Sequence, residues 1–369
     1  RVETKADAWT FEFEDLPQYK NGRLVEYGVK EVGAPAVYES EVISDAENAY
    51  YFTITNKYEP EEISIRVIKD WDDAGNQDGK RGDVEVRLQG GANIDGKNQF
   101  VKEETKILTA KDSWTYTFSN LPKYYGGVEV EYIVTETGKP AGYELVSTGD
   151  TNDNGIRTIT FTNRHEPELT RVTVKKEWND NQNQDGVRPT KVQVQLVADG
   201  VGGQIVWLDA ENGWTHTFDN LAVYKAGKKI EYSVVEVGSF EKDVEGSTDK
   251  ATAVKFTTGE GNAARTAEYL VRTESIIDEE TGYKTVTITN SYTPETMNVS
   301  GTKYWDDNND QDGIRPENLK ITLKNGVTDG VVGTFVTDVD EDWAWNFDNL
   351  PVYNGGTRIN YVISEEENI

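Results

Sequence analysis

One Lys-x-Trp stretch with a polar tail occurs three times and limits the possible fold more than any other feature. It reads VIKDWDDAGNQDGKRG at 67–82, VKKEWNDNQNQDGVRP at 174–189 and GTKYWDDNNDQDGIRP at 301–316. Self-similarity at a fixed interval means an array of like units, each building the same local structure. In a strand, residues i and i+2 share a face, so Lys69 pairs with Trp71, Lys176 with Trp178 and Lys303 with Trp305. Tryptophan belongs to cores by its size, and each neighbouring Lys is therefore expected to face a core too.

Two further signatures recur in the same order. An aromatic strand, a turn and an alternating strand ending in Glu appear at 9–31, 114–136, 214–236 and 343–365, closing on Glu31, Glu136, Glu236 and Glu365. A terminal strand ends in Asn at Asn56 (YFTITN), Asn163 (TITFTN) and Asn290 (TVTITN). The interval between equivalent positions sets a unit of about a hundred residues, a common domain size. Period-2 alternation such as VEVRL (84–88) and VQVQL (192–196), broken by Gly, Asn and Asp turns, predicts an all-β chain with one antiparallel β-sandwich per unit. Short Pro-containing linkers follow each terminal Asn: KYEPEE, RHEPEL and SYTPET. Proline ends a ladder and stiffens a joint, so modules in line as a rod-like array are expected. The expected boundaries are 1–60 (the C-terminal part of a unit), 61–167 and 168–295 (complete units) and 296–369 (the N-terminal part of another). Glu236 lies twice as far from Asn290 as Glu136 does from Asn163, which marks an insertion near 240–283. It still alternates, predicting extra hairpins and, by default, a decorated loop.

Composition removes whole function classes. With 66 acidic against 38 basic residues, the net charge of −28 repels nucleic acid and anionic membranes. There is no Cys, hence no disulfide, thiolate metal site or thiol nucleophile, and His165 and His216 occupy non-equivalent positions, so no His chemistry is shared by the repeats. No run of 18 apolar residues predicts membrane insertion. The chain opens at Arg1 with no initiator Met, signal peptide or sorting motif visible, as expected of an excerpt from a longer array.

Each complete unit offers one Lys on its first strand, one Glu on a middle strand and one Asn on its last: Lys69, Glu136, Asn163 and Lys176, Glu236, Asn290. These types suit attack of a Lys amine on an Asn carboxamide with loss of ammonia. Burial beside Trp disfavours the ammonium and frees the nucleophile. A Glu in the same apolar site is favoured protonated, so it can hydrogen-bond the amide and shuttle protons. Singly, a snorkelling Lys or a strand-ending Asn is ordinary; recurrence in register argues against that reading. The Asn/Asp-rich turn echoes an EF-hand start, yet Val192 and Leu319 stand where the bidentate Glu belongs and Ala74 begins the first copy. No metal or cofactor is assigned, and a tight turn exposing Asp and Gly is expected.

Taken together, Lys-x-Trp with its Asn/Gln-Asp-Gly-x-Arg-Pro turn, the Asn-Leu-Pro-x-Tyr corner, Tyr-x-Val-x-Glu and the closing Thr-Asn resemble the B-type repeat of Gram-positive collagen adhesins, the Cna B-type domain. Gly82 and Ala222 depart from the pattern, where it has Pro. The resemblance implies tandem immunoglobulin-like sandwiches with self-formed Lys–Asn isopeptide bonds in the stalk of an adhesin or pilus. It implies an extracellular, cell-surface location, with cell-wall anchoring through a region outside this segment. Carried over, Lys69 and Lys176 would be nucleophiles, Asn163 and Asn290 electrophiles, Glu136 and Glu236 proton shuttles. Glu31 with Asn56, and Lys303 with Glu365, match part of the set. The expected partners are neighbouring repeats and, through a domain not present, a host extracellular protein. A competing reading makes the repeats ligand-binding modules that grip a host protein through loops or the 240–283 insertion. A hydrolase is disfavoured because no acidic pair recurs in a cleft-like context, and no enzyme activity is expected beyond cross-linking of the chain itself.

Overall fold

The alternating segments become strands because one face of each can be buried and the other wetted. The structure, a computed structural model, describes residues 2–4, 9–261 and 264–366. The chain forms two compact units, Arg1–Asp72 with Gly82–Arg164, and Asp73–Arg81 with His165–Ile369. A 3-10 turn spans Ala110–Asp112, and among the described residues no helix is long and apolar enough to cross a membrane.

In the first unit, residues 62–72 and 82–164 form two facing sheets. The four-stranded sheet runs Thr115–Pro122, Glu62–Asp72, Ile156–Arg164, Glu144–Asp153, and the three-stranded sheet runs Glu131–Gly138, Val84–Ile94, Lys97–Leu108. Their inner faces meet in one core of Ile65, Val67, Val86, Leu88, Phe118, Val134, Ile159 and Phe161, with Trp71 and Trp114 against it. Burying each such aliphatic or aromatic side chain stabilises the fold by about 1.5–3 kcal/mol. Neighbouring strands in these sheets are antiparallel with one exception. Glu62–Asp72 and Ile156–Arg164 run parallel, with Phe161 opposite Lys69 and Asn163 opposite Trp71. The first and last strands of the repeat therefore lie side by side at the centre of one sheet.

Residues 169–291 of the second unit repeat this plan, again with a parallel pair, Leu169–Asn179 beside Lys284–Ser291. The insertion widens the larger sheet to six strands by placing Lys250–Thr258 and Phe240–Asp243 beyond Arg265–Ile277. Its inward residues Val254, Ala267 and Tyr269 join Val187 in a second small core, packed on Trp178. The extra hairpins are thus structural, and they extend the core. Residues 296–366 form a smaller core of Leu319, Ile321 and Trp343 with Trp305 and Phe347 against it.

A corner is stapled the same way in each copy. Tyr27, Tyr132, Tyr232 and Tyr361 donate their hydroxyls to the carbonyls of Pro17, Pro122, Ala222 and Pro351 at 2.8, 2.9, 3.0 and 2.8 Å. The bond uses the carbonyl, which explains why Ala222 serves where the other copies have Pro. Residues 9–60 form strand pairs such as Glu39–Ser44 with Phe52–Lys57. Phe11, Phe13 and Ile43 are exposed there.

Candidate functional site

Period-2 spacing carries each Lys inward. Ile65, Val67, Lys69 and Trp71 share the core face of their strand, as do Val172, Val174, Lys176 and Trp178 of theirs. Lys69 and Lys176 are 3% and 5% exposed, and Asn163 and Asn290 are fully buried on the adjacent parallel strands. Glu136 and Glu236 come from the facing sheet, on Glu131–Gly138 and Tyr232–Glu236. Three strands from two sheets therefore converge on one interior point in each repeat.

In the first repeat Lys69 Nζ donates to Phe161 O at 2.7 Å and Asp70 O at 2.8 Å, and lies 3.7 Å from Glu136 Oε2. Asn163 Nδ2 donates to Glu136 Oε1 at 2.7 Å. In the second, Lys176 Nζ donates to Glu177 O at 2.9 Å and Ile288 O at 3.4 Å, and Asn290 Nδ2 donates to Glu236 Oε1 at 3.1 Å. Each Lys also sits over its Trp ring, at 4.7 Å for Trp71 and 4.0 Å for Trp178. Burial pushes the Lys176 ammonium down to about 8, against the pull of Glu236. The same burial raises Glu236 above the usual carboxylate range. Both shifts favour the neutral pair. Asn163 Oδ1, Asn290 Oδ1, Glu136 Oε2 and Glu236 Oε2 are buried with no hydrogen-bond partner. Each such atom costs about 1–3 kcal/mol, so four of them in two matching sites call for a reason beyond packing. Rotating the carboxamide end for end would let a protonated Glu donate to the Asn oxygen, polarising the carbon for attack.

The partial sets are looser. Asn56 Nδ2 donates to Glu31 Oε1 at 2.9 Å and Ser40 Oγ to Glu31 Oε2 at 2.8 Å, at an exposed position. Lys303 forms an ion pair with Glu365 at 3.1 Å, but their side chains are 25% and 46% exposed, so this Lys faces the core only in part.

The polar turn departs from expectation. In the first two copies Asp73, Asp78, Asp180 and Asp185 are buried and not displayed to solvent. Asp73 receives Arg81 in a two-pronged pair at 2.6 and 2.7 Å and caps the Asn76 amide at 2.9 Å. Asp180 and Arg188 repeat this, as do Asp307 and Arg315. The bond from Arg315 holds Asp307 down at about 2. Carboxylates that would otherwise repel are thus consumed by fork-shaped guanidinium contacts. Sequence reasoning missed this pair, although the signal was present: Asp two residues and Arg ten residues after each Trp, in all three copies.

The family profile of the Cna protein B-type domain matches residues 1–57, 65–164, 172–257 and 299–368. A collagen adhesin of Staphylococcus aureus is 32% identical over 428 aligned positions, covering 98% of this chain and 34% of that protein. The chain thus spans about a third of the length of the curated relative it matches. The crystal structure of two B repeat units of the S. aureus collagen binding protein is 33% identical, covers 97% of this chain and 81% of that one, and gives a TM-score of 0.42. A single B repeat unit of the same surface protein is 34% identical over 63% of this chain and all of that one, with a TM-score of 0.24. By the match to its profile over most of its length, this chain belongs to the Cna protein B-type domain family.

Proposed function

We propose that this chain is stalk material of a bacterial surface adhesin or pilus-like protein, built of repeats that begin near 61, 168 and 296. In this reading two repeats are closed by intramolecular isopeptide bonds, Lys69 to Asn163 and Lys176 to Asn290. The observation that carries it is the twice-built buried set of Lys, Glu and Asn on the first, middle and last strands. Family membership supports the surface role, since the related proteins are a collagen adhesin and the B repeats of a collagen-binding surface protein.

The chemistry follows from the neutral pair. A proton passes from the Lys ammonium to the Glu carboxylate, leaving a free amine and a carboxylic acid in a dry site. The amine attacks the Asn Cγ while the acid donates to the carboxamide oxygen. The attack forms the Lys Nζ–Cγ bond, and Glu carries the surplus proton from Nζ to Nδ2. The tetrahedral adduct then collapses: the oxygen gives its proton back to Glu, the carbonyl re-forms and the Asn Cγ–Nδ2 bond breaks, releasing ammonia. Glu passes its proton to the departing ammonia, which leaves as ammonium, so Glu ends as a carboxylate; because the Lys and Asn are consumed once per repeat there is no turnover. The insertion at 240–283 fits a structural part better than a ligand grip, because Tyr269 is fully buried and rests on Trp178.

Intact mass tests the reading. Folded protein is expected to weigh about 17 Da less per bond, the mass of one ammonia, and a tryptic map should contain branched peptides joining Lys69 to Asn163 and Lys176 to Asn290. Full mass in folded protein would overturn it.

A further inference from the structure

The Gln-Asp-Gly end of the polar turn is not needed for the Asp–Arg pair, yet it is buried where a linker follows. Asp185 is 1% exposed, and its Oδ2 accepts from the Tyr292 hydroxyl at 3.0 Å and the Glu295 amide at 2.8 Å. Gly186, at φ +65, lies so close to Gly356 that a Cβ on it would sit 2.4 Å from the Gly356 Cα. The Gly356 amide donates to Gln184 O at 3.1 Å. Arg265, from the insertion, donates to Asp185 O and stacks 3.8 Å over the Tyr353 ring.

The same set appears again within the second unit. Asp78 Oδ2 lies 2.9 Å from His165 Nε2 and accepts from the Glu168 amide at 2.9 Å. The Gly227 amide donates to Gln77 O at 3.0 Å, and a Cβ on Gly79 would sit 2.5 Å from the Gly227 Cα. His165 and Tyr292 each stand two residues after the strand-ending Asn, and Glu168 and Glu295 five after it. Backbone touching backbone leaves no room for any side chain, which is why both sides are Gly. In the third copy Asp312 and Gly313 are exposed, and nothing lies within 4 Å of a Cβ placed on Gly313.

We propose that the Gln-Asp-Gly turn is a docking surface for the repeat that follows: its carboxylate captures the linker's aromatic or imidazole group and Glu amide, and its Gly seats the Gly turn of the next sandwich. The joint rests on the repeat boundaries proposed above and does not depend on the cross-link. Burial and the bond to Asp185 push the Tyr292 phenol up to about 12, so it remains a donor at neutral pH.

Amide hydrogen exchange on the full chain tests this with Asp185→Asn, Gly186→Ala and the control Gly313→Ala. Gly186 and Gly313 have nearly equal φ, +65 and +61, so an added Cβ strains both backbones alike and only the first meets a neighbour. Exchange at the Glu295 and Gly356 amides should quicken by about tenfold or more in Asp185→Asn and Gly186→Ala, the loss expected of a charge-assisted bond. Protection at Val286 and Ile288 in the core should hold, and Gly313→Ala should match the parent. Unchanged exchange at both reporters would overturn the joint. So would an equal rise at Val286 and Ile288, which would make the turn part of its own repeat's fold, or the same rise in Gly313→Ala. Intact mass of the same samples reports the cross-link separately.

Discussion

Replacing Glu136 and Glu236 by Gln separates proton transfer from packing. Gln has nearly the volume of Glu, and its oxygen can still accept from Asn163 and Asn290 in place of the bonds now at 2.7 and 3.1 Å. What it cannot do is take a proton from the Lys and return one to the leaving nitrogen. Each single variant should therefore fold and retain the mass of one ammonia, and the double variant the mass of two. The energetic consequence follows from loop size. Lys69 to Asn163 closes about 95 residues and Lys176 to Asn290 about 115, so by the relation for cross-linked loops the bonds contribute about 4.7 and about 4.8 kcal/mol. For a domain of about a hundred residues, each kcal/mol moves the melting point by about 4–8 °C, so losing one bond should lower its repeat's transition by about 20–40 °C. Mass spectrometry and calorimetry on parent, single and double variants measure both effects. A Glu136→Gln chain that still loses two ammonias would refute the assigned shuttle. Retained mass with an unmoved transition would refute the claim that the bond carries the stability.

The rate of bond formation should also depend on pH. In chains purified unfolded and refolded by dilution, the Lys176–Glu236 pair reacts only while it holds one proton between its members. It holds two below the raised Glu236 value and none above about 8, where Lys176 has also lost its proton. The rate should be bell-shaped, with its alkaline limb near 8 and its acid limb above the normal Glu range; a rate still climbing well past 8 would show that no acid is needed. Separately, Tyr132→Phe removes the hydroxyl bond to Pro122 O and should cost about 1–2 kcal/mol, read as a lower melting transition, with an unchanged transition counting against the corner as a staple.

Much of this was legible because alternation reports which face a residue uses. Ile65, Val67, Lys69 and Trp71 could be assigned to one face from spacing alone, and recurrence of Lys, Glu and Asn made their meeting predictable. Alternation says nothing about which strand lies beside which. The parallel pairing of Glu62–Asp72 with Ile156–Arg164 joins residues far apart in sequence and has no local signature. The polar turn was misjudged for a related reason. Asp and Gly read as solvent-seeking turn residues, but Asp180 is neutralised by an Arg eight positions on, and Asp185 by a hydroxyl and an amide from across the linker. Burial of a carboxylate depends on partners, and partners distant in sequence are invisible to composition. The insertion was likewise predicted as hairpins but not as core, since the surface it covers, Trp178, is covered in the shorter repeat by Tyr143.

Parallel first and last strands give the proposed bond its mechanical sense. Tension entering at Glu62 would run along the first strand to Lys69, near its end, cross to Asn163 and leave at Arg164. The strands between, Val84 to Asp153, lie outside that covalent path and need bear no load. Without the bond, the same pull would shear two adjacent strands held by hydrogen bonds worth about 1 kcal/mol each and a core that opens once they slide. An Asn at the start of the last strand would leave a long stretch of backbone to extend before the link tightened. The bond encloses everything from Asp70 to Thr162 and leaves only Glu62–Ile68 and Arg164 of these two strands outside it, so Arg164 alone separates the cross-link from the linker that follows. Force would then pass from one repeat's cross-link to the next through a joint clasped by Asp185 and Gly186, so resistance to extension would fail first at the joints and only afterwards in the sandwiches.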